Sequence, residues 1–507
     1  MEEPVLVDRD DRSSLFPGID IVSVRDLTDV SEILGGSFDR SLTAEDRLYE
    51  GRQILLVELP VGGEEDMLNA IEILEEDPLV AYAEFNIIGS AISSPLVPND
   101  PYFLPDPFSP FPDGLWGMEK IHAAEAWGLW EENRPETRPG SHDVLVGVLD
   151  TGVDYNHVDL IGNVDANLGY NFLYDNPWWW YQDSDPMDDE GHGTHVAGTI
   201  GAVGDNGEGV VGVCWEITII PLKIWDSGAY GSVAEFVSAL AYAEVIDIPI
   251  LNISGRWCKN WLQDTELNAM YDAIEAYSGI LVAAAGNDWM DNDLDDFTTA
   301  FPAAFDLSNI VTVAASNEWD GLVDNFTWGS NYGETTVDLA APGDYILSTM
   351  PSDLYVSWSG TSMAAPHVTG VAALLKGYYP SATTAQIKEA VLNSATVTPS
   401  LIGKVSTGGR LNALAAMEYM DVIMKPLLYG DVDDNGRVAP MDASLLSRYL
   451  DGWPGIVINE AAADVDADGE ITPFDLVILQ RHIAGWPGYE VLHTSHSQNK
   501  ITFPYSA

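Results

Sequence analysis

The chain has 507 residues, 46% hydrophobic and 10% aromatic, enough for several buried cores and too apolar for a wholly disordered protein. Its 80 Asp and Glu outweigh 21 Lys and Arg to give a net charge of −59, spread along the whole sequence. Such a field repels nucleic acid and anionic lipid and draws cations, so no nucleic-acid partner and no anionic-membrane surface is expected.

No apolar run reaches the roughly 20 residues that cross a bilayer, so no membrane span is expected. The opening Met1-Glu2-Glu3-Pro4 has neither a basic end nor an apolar stretch and does not read as a secretory signal. Two cysteines, Cys214 and Cys258, cannot make a disulfide framework, and their spacing does not decide whether they pair.

Residues 48–88 read as a small α+β unit. Residues 53–59 form a strand pattern that ends at Pro60. Met67, Leu68, Ile71 and Leu74 then recur at helical spacing, and 79–85 is a second strand pattern. A Ser-, Pro- and Asn-rich stretch over 93–101 reads as a linker or exposed segment.

Within the domain 93–420, residues 110–420 alternate short apolar strands (144–149, 250–253, 280–285, 310–314) with helical stretches such as 232–244 and 265–277. Continuous apolar strands separated by helices imply an α/β fold, a mainly parallel sheet with helices on both faces.

Three segments of this region carry chemistry. Asp150 ends an apolar strand in Leu149-Asp150-Thr151-Gly152. His192 lies in Gly191-His192-Gly193-Thr194-His195, and Ser362 in Gly360-Thr361-Ser362-Met363-Ala364-Ala365-Pro366-His367. A hydroxyl attacks only if a base takes its proton, and a neutral imidazole backed by a carboxylate has the right basicity and orientation. Taken singly, each has a structural alternative: a strand-end turn for Asp150, a helix cap for His192, and an N-cap before 368–375 for Ser362.

Together and in this order, the segments resemble the subtilisin-like serine proteases (subtilases) over about residues 95–420; the triad order and logic are that family's. The resemblance implies Asp150 as the orienting carboxylate, His192 as general base and acid, and Ser362 as nucleophile. His195 would be a structural partner one turn along the helix. It also implies Asn287, closing Ala283-Ala284-Ala285-Gly286-Asn287, as oxyanion donor with the Ser362 backbone N–H. Ser254 and Gly255 would offer backbone to an extended substrate, although Gly255-Arg256-Trp257 departs from the family's large residue followed by glycines. Trp178, Trp179, Trp180 and Tyr181 either rim the cleft or pack their own loop. Asp159, Val203 and Asp205 resemble a family calcium site.

The same resemblance makes residues 1–92 an inhibitory propeptide, with self-cleavage expected within 86–100. Residues 421–428 are a linker, 429–489 hold a duplication, and 490–507 are a tail. In the duplication Gly430-Asp431-Val432-Asp433 aligns with Ala463-Asp464-Val465-Asp466. Both copies resemble dockerin modules, small α-helical units that bind calcium. Loop positions 1, 3, 5, 7 and 12 are Asp431, Asp433, Asn435, Arg437 (by its carbonyl) and Asp442, then Asp464, Asp466, Asp468, Glu470 (by its carbonyl) and Asp475, with glycine at position 6. Two calcium sites here, and one or more in the catalytic region, are expected.

The reading is a secreted or surface-tethered serine endopeptidase acting on protein or peptide substrates, made as a zymogen and docked through a cohesin module to a multi-enzyme scaffold. The alternatives are a polysaccharide hydrolase, which would need a carboxylate pair, and an inactive binding protein with the protease fold.

Overall fold

The structure is a computed structural model. It describes residues 94–175, 184–294, 299–424, 428–432, 437–450, 458–467, 469–484 and 492, with two short strands nearer the N-terminus. These strands, β1 (Ser23–Asp26) and β2 (Leu55–Glu58), pair antiparallel, and β2 falls inside the expected strand 53–59. The expected helix near 67–74, the strand 79–85 and the tryptophan cluster 178–181 lie outside the described residues.

Residues 91–425 form one compact unit. Its strands in chain order are β3 (Gly140–Asp150), β4 (Tyr170–Asn171), β5 (Glu216–Lys223), β6 (Ile250–Ile253), β7 (Trp257–Cys258) and β8 (Ile280–Ala284). There follow β9 (Ala300–Phe301), β10 (Ile310–Ser316), β11 (Leu339–Pro342), β12 (Ile346–Met350), β13 (Leu354–Trp358), β14 (Thr396–Val397) and β15 (Gly409–Arg410). Nine of them make one sheet in the order β14-β15-β11-β10-β8-β6-β3-β5-β4, parallel throughout except at the β14–β15 edge.

The alternation of side chains along each strand feeds two cores. In β8, Ile280, Val282 and Ala284 join one, while Leu281 and Ala283 join the other. The first core is covered by the helices Ala123–Asn133, His192–Gly201, Thr361–Tyr378, Thr384–Asn393 and Ala413–Ile423, the second by Val233–Val245 and Asp264–Ala276. Strands buried on both faces have no polar side to present, which is why they read as unbroken apolar runs.

The segment expected to be a linker is in part a packed element. Leu96 N–H donates to the Ala124 carbonyl at 2.9 Å, and Asp100 is buried where it accepts the Asp205 N–H at 2.7 Å. Its Pro and Asn content excludes regular structure but not tertiary hydrogen bonds. The antiparallel hairpin β12–β13 turns through Ser352 and Asp353, both at positive φ, without the glycine that marks such turns in sequence.

The C-terminal duplication folds into the helices Pro440–Leu450, Glu460–Ala463 and Pro473–Ile483 around Val432, Leu446, Val465 and Leu479. Gly430 N–H to Ala462 O at 2.7 Å and Asn459 N–H to Val432 O at 2.9 Å tie the two copies together. Among the described residues no helix is long and apolar enough to cross a membrane.

Candidate active site

Parallel strands end at one edge of the sheet, and there β3 delivers Asp150, fully buried, to the start of the helix His192–Gly201. His192 Nδ1 lies 2.7 Å from Asp150 Oδ1, which also accepts the Thr151 N–H at 2.8 Å. The helix approaches this closely because residue 193 is glycine: a Cβ there would sit 2.0 Å from the Gly152 carbonyl oxygen and 3.0 Å from Asp150 Cβ. Burial alone would depress the imidazole. The Asp150 carboxylate, by charge and hydrogen bond, and Glu190 and Asp188 behind it outweigh that and hold His192 above its ordinary range. His195, one turn on, is buried; its Nε2 meets the Val356 carbonyl at 3.0 Å and its ring stacks on Trp358 at 5.0 Å. Burial pushes it down to about 3, so it stays neutral.

Ser362 is the second residue of the helix Thr361–Tyr378. Pro366 has no N–H to give to the carbonyl four residues back, which is that of Ser362. Ser254 Oγ–H fills the gap at 2.8 Å, and Ser362 Oγ–H in turn donates to the Ser254 carbonyl at 2.8 Å rather than to His192. This reciprocal pair locks the β6 exit to the serine. Asn252 Nδ2 steadies Ser254 Oγ at 2.9 Å, and Thr369 steadies Asn252.

Asn287 Oδ1 accepts both the N–H and the Oγ–H of Thr361, at 2.9 and 3.0 Å, which leaves its NH2 group on the Gly360 side, 3.4 Å from where a Cβ on that glycine would stand. Behind it Asn331, buried, accepts the Asp288 and Met290 N–H groups and donates to Asn292 at 3.1 Å. Gly255 is forced by Trp225, whose indole a Cβ at 255 would meet at 2.0 Å. Arg256 Nη2 pairs with Asp288 Oδ2 at 2.5 Å and its Nη1 donates to Cys258 Sγ at 2.6 Å. Both cysteines are free and buried.

Several of these supports escaped the sequence reading. Asp188 accepts the N–H groups of Glu190, Gly191 and Thr194 and the hydroxyls of Thr151 and Thr194, so it holds the turn that presents His192. A carboxylate just before a glycine-flanked helix start was the signal for it. Lys223, buried, bridges the Thr151 and Met187 carbonyls and Asp189. Trp358 stacks on both His192 and His195.

Asp159, Val203 and Asp205, expected to hold a cation in this unit, lie close to Asn206 and Asp100. Asp159 is buried and takes the Asn206 amide, the Val210 N–H and the Tyr355 hydroxyl, each at 2.9 Å, and its carbonyl accepts the Val203 N–H at 2.8 Å. The Asp205 carboxylate accepts the Asn99 N–H at 3.2 Å and lies 3.7 Å from Arg138, with its backbone in the left-handed region. Asp100, unforeseen, brings a second buried carboxylate within reach of the Asp159 charge. Burial pushes Asp100 up to about 6, with the Asp159 charge adding to that, a strain a hard cation would relieve.

In the C-terminal module the carboxylates of Asp464, Asp466 and Asp475 converge, with one oxygen of each within 4.8 Å of the others, a donor set that fits calcium. Asp475 also accepts the Val465 N–H at 2.8 Å and the Thr472 N–H at 2.9 Å, closing the loop and capping the helix. Asp442 does the same for Val432 and Ala439, each at 2.7 Å, with Asp431 buried beside it. Asp433, Asn435 and Asp468 lie outside the described residues, and the Arg437 and Glu470 side chains are exposed.

The described groups are an imidazole held on a buried carboxylate, a serine hydroxyl at a helix start, and an asparagine amide beside that start. Residues 141–417 match the family described as the subtilase family, and 429–484 match the dockerin type I domain. The chain is 34% identical over 363 residues to a thermophilic serine proteinase from Bacillus sp. (strain AK1), covering 71% of this chain and 78% of that protein. It is 33% identical over 324 residues to thermitase from Thermoactinomyces vulgaris, covering 64% of this chain and 99% of that one. A solved protease structure from Pseudoalteromonas arctica PAMC 21717 superposes with a TM-score of 0.51 at 28% identity, over 63% of this chain and 98% of that one. The chain belongs to the subtilase family: it is a subtilisin-like serine endopeptidase that carries a dockerin type I domain.

Proposed function

We propose that Ser362, His192 and Asp150 form the catalytic triad and that Asn287 donates to the oxyanion. His192 Nε2 takes the Ser362 proton as Oγ bonds to the substrate carbonyl carbon. The negative charge that develops on the carbonyl oxygen is met by Asn287 Nδ2–H and the Ser362 N–H. His192 then gives the proton to the leaving amine, and water, deprotonated by the same imidazole, hydrolyses the acyl-enzyme. Asp150 fixes the Nδ1–H tautomer; its Oδ2 is buried without a hydrogen-bond partner, so its charge acts through His192 rather than on water.

The observation that carries this reading is the 2.7 Å contact between His192 and a wholly buried carboxylate at the sheet's carboxyl edge. Its test is labelling with a serine-directed phosphonate. The wild type is expected to incorporate one label at Ser362 and Ser362→Ala none; equal labelling of both would refute it.

Residues 1–92 act as an inhibitory propeptide released by self-cleavage, and 421–428 link the enzyme to the dockerin. The dockerin holds two calcium ions and binds a cohesin module of an extracellular, cellulosome-type scaffold. Met441 and Phe474, 61% and 48% exposed at equivalent positions of the two repeats, support an apolar contact with that partner. Asp100, Asp159 and Asn206 would hold a further, structural calcium in the catalytic unit.

A further inference from the structure

The two chain segments that flank the reacting carbonyl are joined by an ion pair. Ser254, whose carbonyl accepts the Ser362 hydroxyl, is followed by Gly255 and Arg256; Asn287 is followed at once by Asp288. Arg256 and Asp288 meet at 2.5 Å, and the Arg256 Cδ stands 3.4 Å from where a Cβ on Gly286 would lie. The leaving amine must face His192, which protonates it. The side chain on the acyl side therefore enters away from His192, between segments 254–256 and 286–288, where the guanidinium lies.

Three features set the character of that space. The Gly255 side is closed by Trp225. The Arg256 side chain is 24% exposed and that of Asp288 43%, so the guanidinium is the more deeply set group, although the Asp288 Oδ2 it meets is buried. Among the described residues the guanidinium's side-chain partners are Asp288 and the Cys258 sulfur, a weak acceptor, so N–H donors remain for a carboxylate.

We propose that Arg256 makes this endopeptidase select a carboxylate side chain, Asp or Glu, on the residue whose carbonyl is attacked, with Asp288 as the internal competitor that a substrate carboxylate displaces toward water. The inference rests on Ser362 as nucleophile and Asn287 as oxyanion donor. A Lys or Arg side chain at this position is repelled, and a large aromatic ring loses the depth that the guanidinium fills.

The test is kcat/KM of the purified mature enzyme on fluorogenic peptides that differ only at the residue before the cut, Glu, Gln, Lys or Phe. Wild type is expected to prefer Glu over Lys by at least about tenfold, the scale of one charge-assisted hydrogen bond. Arg256→Gln should lose about that factor on the Glu peptide while leaving the Gln peptide within about twofold. Asp288→Asn, which frees the guanidinium, should raise the Glu preference; this second variant decides the matter if Arg256→Gln does not fold. A wild-type preference for Lys or Phe, or variants that change all four peptides equally, overturns the proposal. Phosphonate labelling run on the same samples separates the two readings: label at Ser362 with a flat profile defeats only the specificity inference, whereas absence of label defeats the catalytic assignment beneath it.

Discussion

At the scale of single residues, the site works through small numbers of directed contacts. Asn287 has its oxygen engaged by Thr361 and only its NH2 to offer, so Asn287→Ala removes one oxyanion donor without touching the nucleophile. The expected loss in kcat is about 10²–10³-fold with KM little changed, a magnitude measured on subtilisin, a relative, rather than computed from this geometry. Steady-state kinetics on one peptide checks it. Glu190 acts on the His192 imidazole through its charge, and its carboxylate is held nearby by accepting the His192 backbone N–H at 2.8 Å. The base must be neutral to work, and an anion beside it favours the imidazolium. Glu190→Gln should therefore lower the pKa of the acid limb of kcat/KM and leave the variant relatively more active at acidic pH. An acid limb that stays in place or moves up would contradict the geometry.

At the scale of elements, the proposed catalytic groups sit at the ends of rigid pieces: a strand for Asp150, two helix starts for His192 and Ser362. What adjusts them is the packing between those pieces. Gly255 and Trp225 are an example, since a side chain at 255 and the indole claim the same volume. Gly255→Leu in the wild type is expected to destabilise by about 1–3 kcal/mol and to cut activity, because the segment must shift away from Ser362. Combining it with Trp225→Ala should recover part of both losses, a coupling read from thermal melts and kinetics of the double-mutant cycle. Additive losses would show that the indole does not occupy that space.

At the scale of the whole molecule, charge and ions set the working range. His195 and His367 are buried, and burial holds them down to about 3 and about 4 against an ordinary 6.5. The unfolded chain takes up their protons as pH falls below 6.5, while the folded chain does so only near 4 and 3. Their stabilisation is thus complete above 6.5 and is lost across that window as pH drops. His367→Gln should flatten the fall of Tm between pH 6.5 and 4; an unchanged slope would count against it. Calcium removal acts on the C-terminal module, whose loops bring Asp464, Asp466 and Asp475 together and so repel themselves when empty. Chelation of the full chain should speed hydrogen exchange in the helices Pro440–Leu450 and Pro473–Ile483. Protection that survives chelation would show the module folds without the ion.

How much was legible follows from where each constraint lives along the chain. Asp150, His192, Ser362 and the paired acidic loops stood out because their chemistry requires particular residue types next to particular turns, helix starts and glycines, and the family resemblance these motifs carry added Asn287. The alternation of apolar strands and helices likewise announced a parallel sheet, since a strand buried on both faces has no polar side to show. The partners that complete the site are distant in sequence and ordinary in local context. Asp100 meets Asp159, Lys223 reaches Asp189, Trp225 replaces a side chain at 255, and Arg256 finds Asp288 only when loops from different strands arrive at the same sheet edge. Local chemistry therefore fixed which reaction this protein performs, and the tertiary structure alone decided what surrounds the reacting bond, because burial, charge pairing and shared volume are properties of neighbours in space.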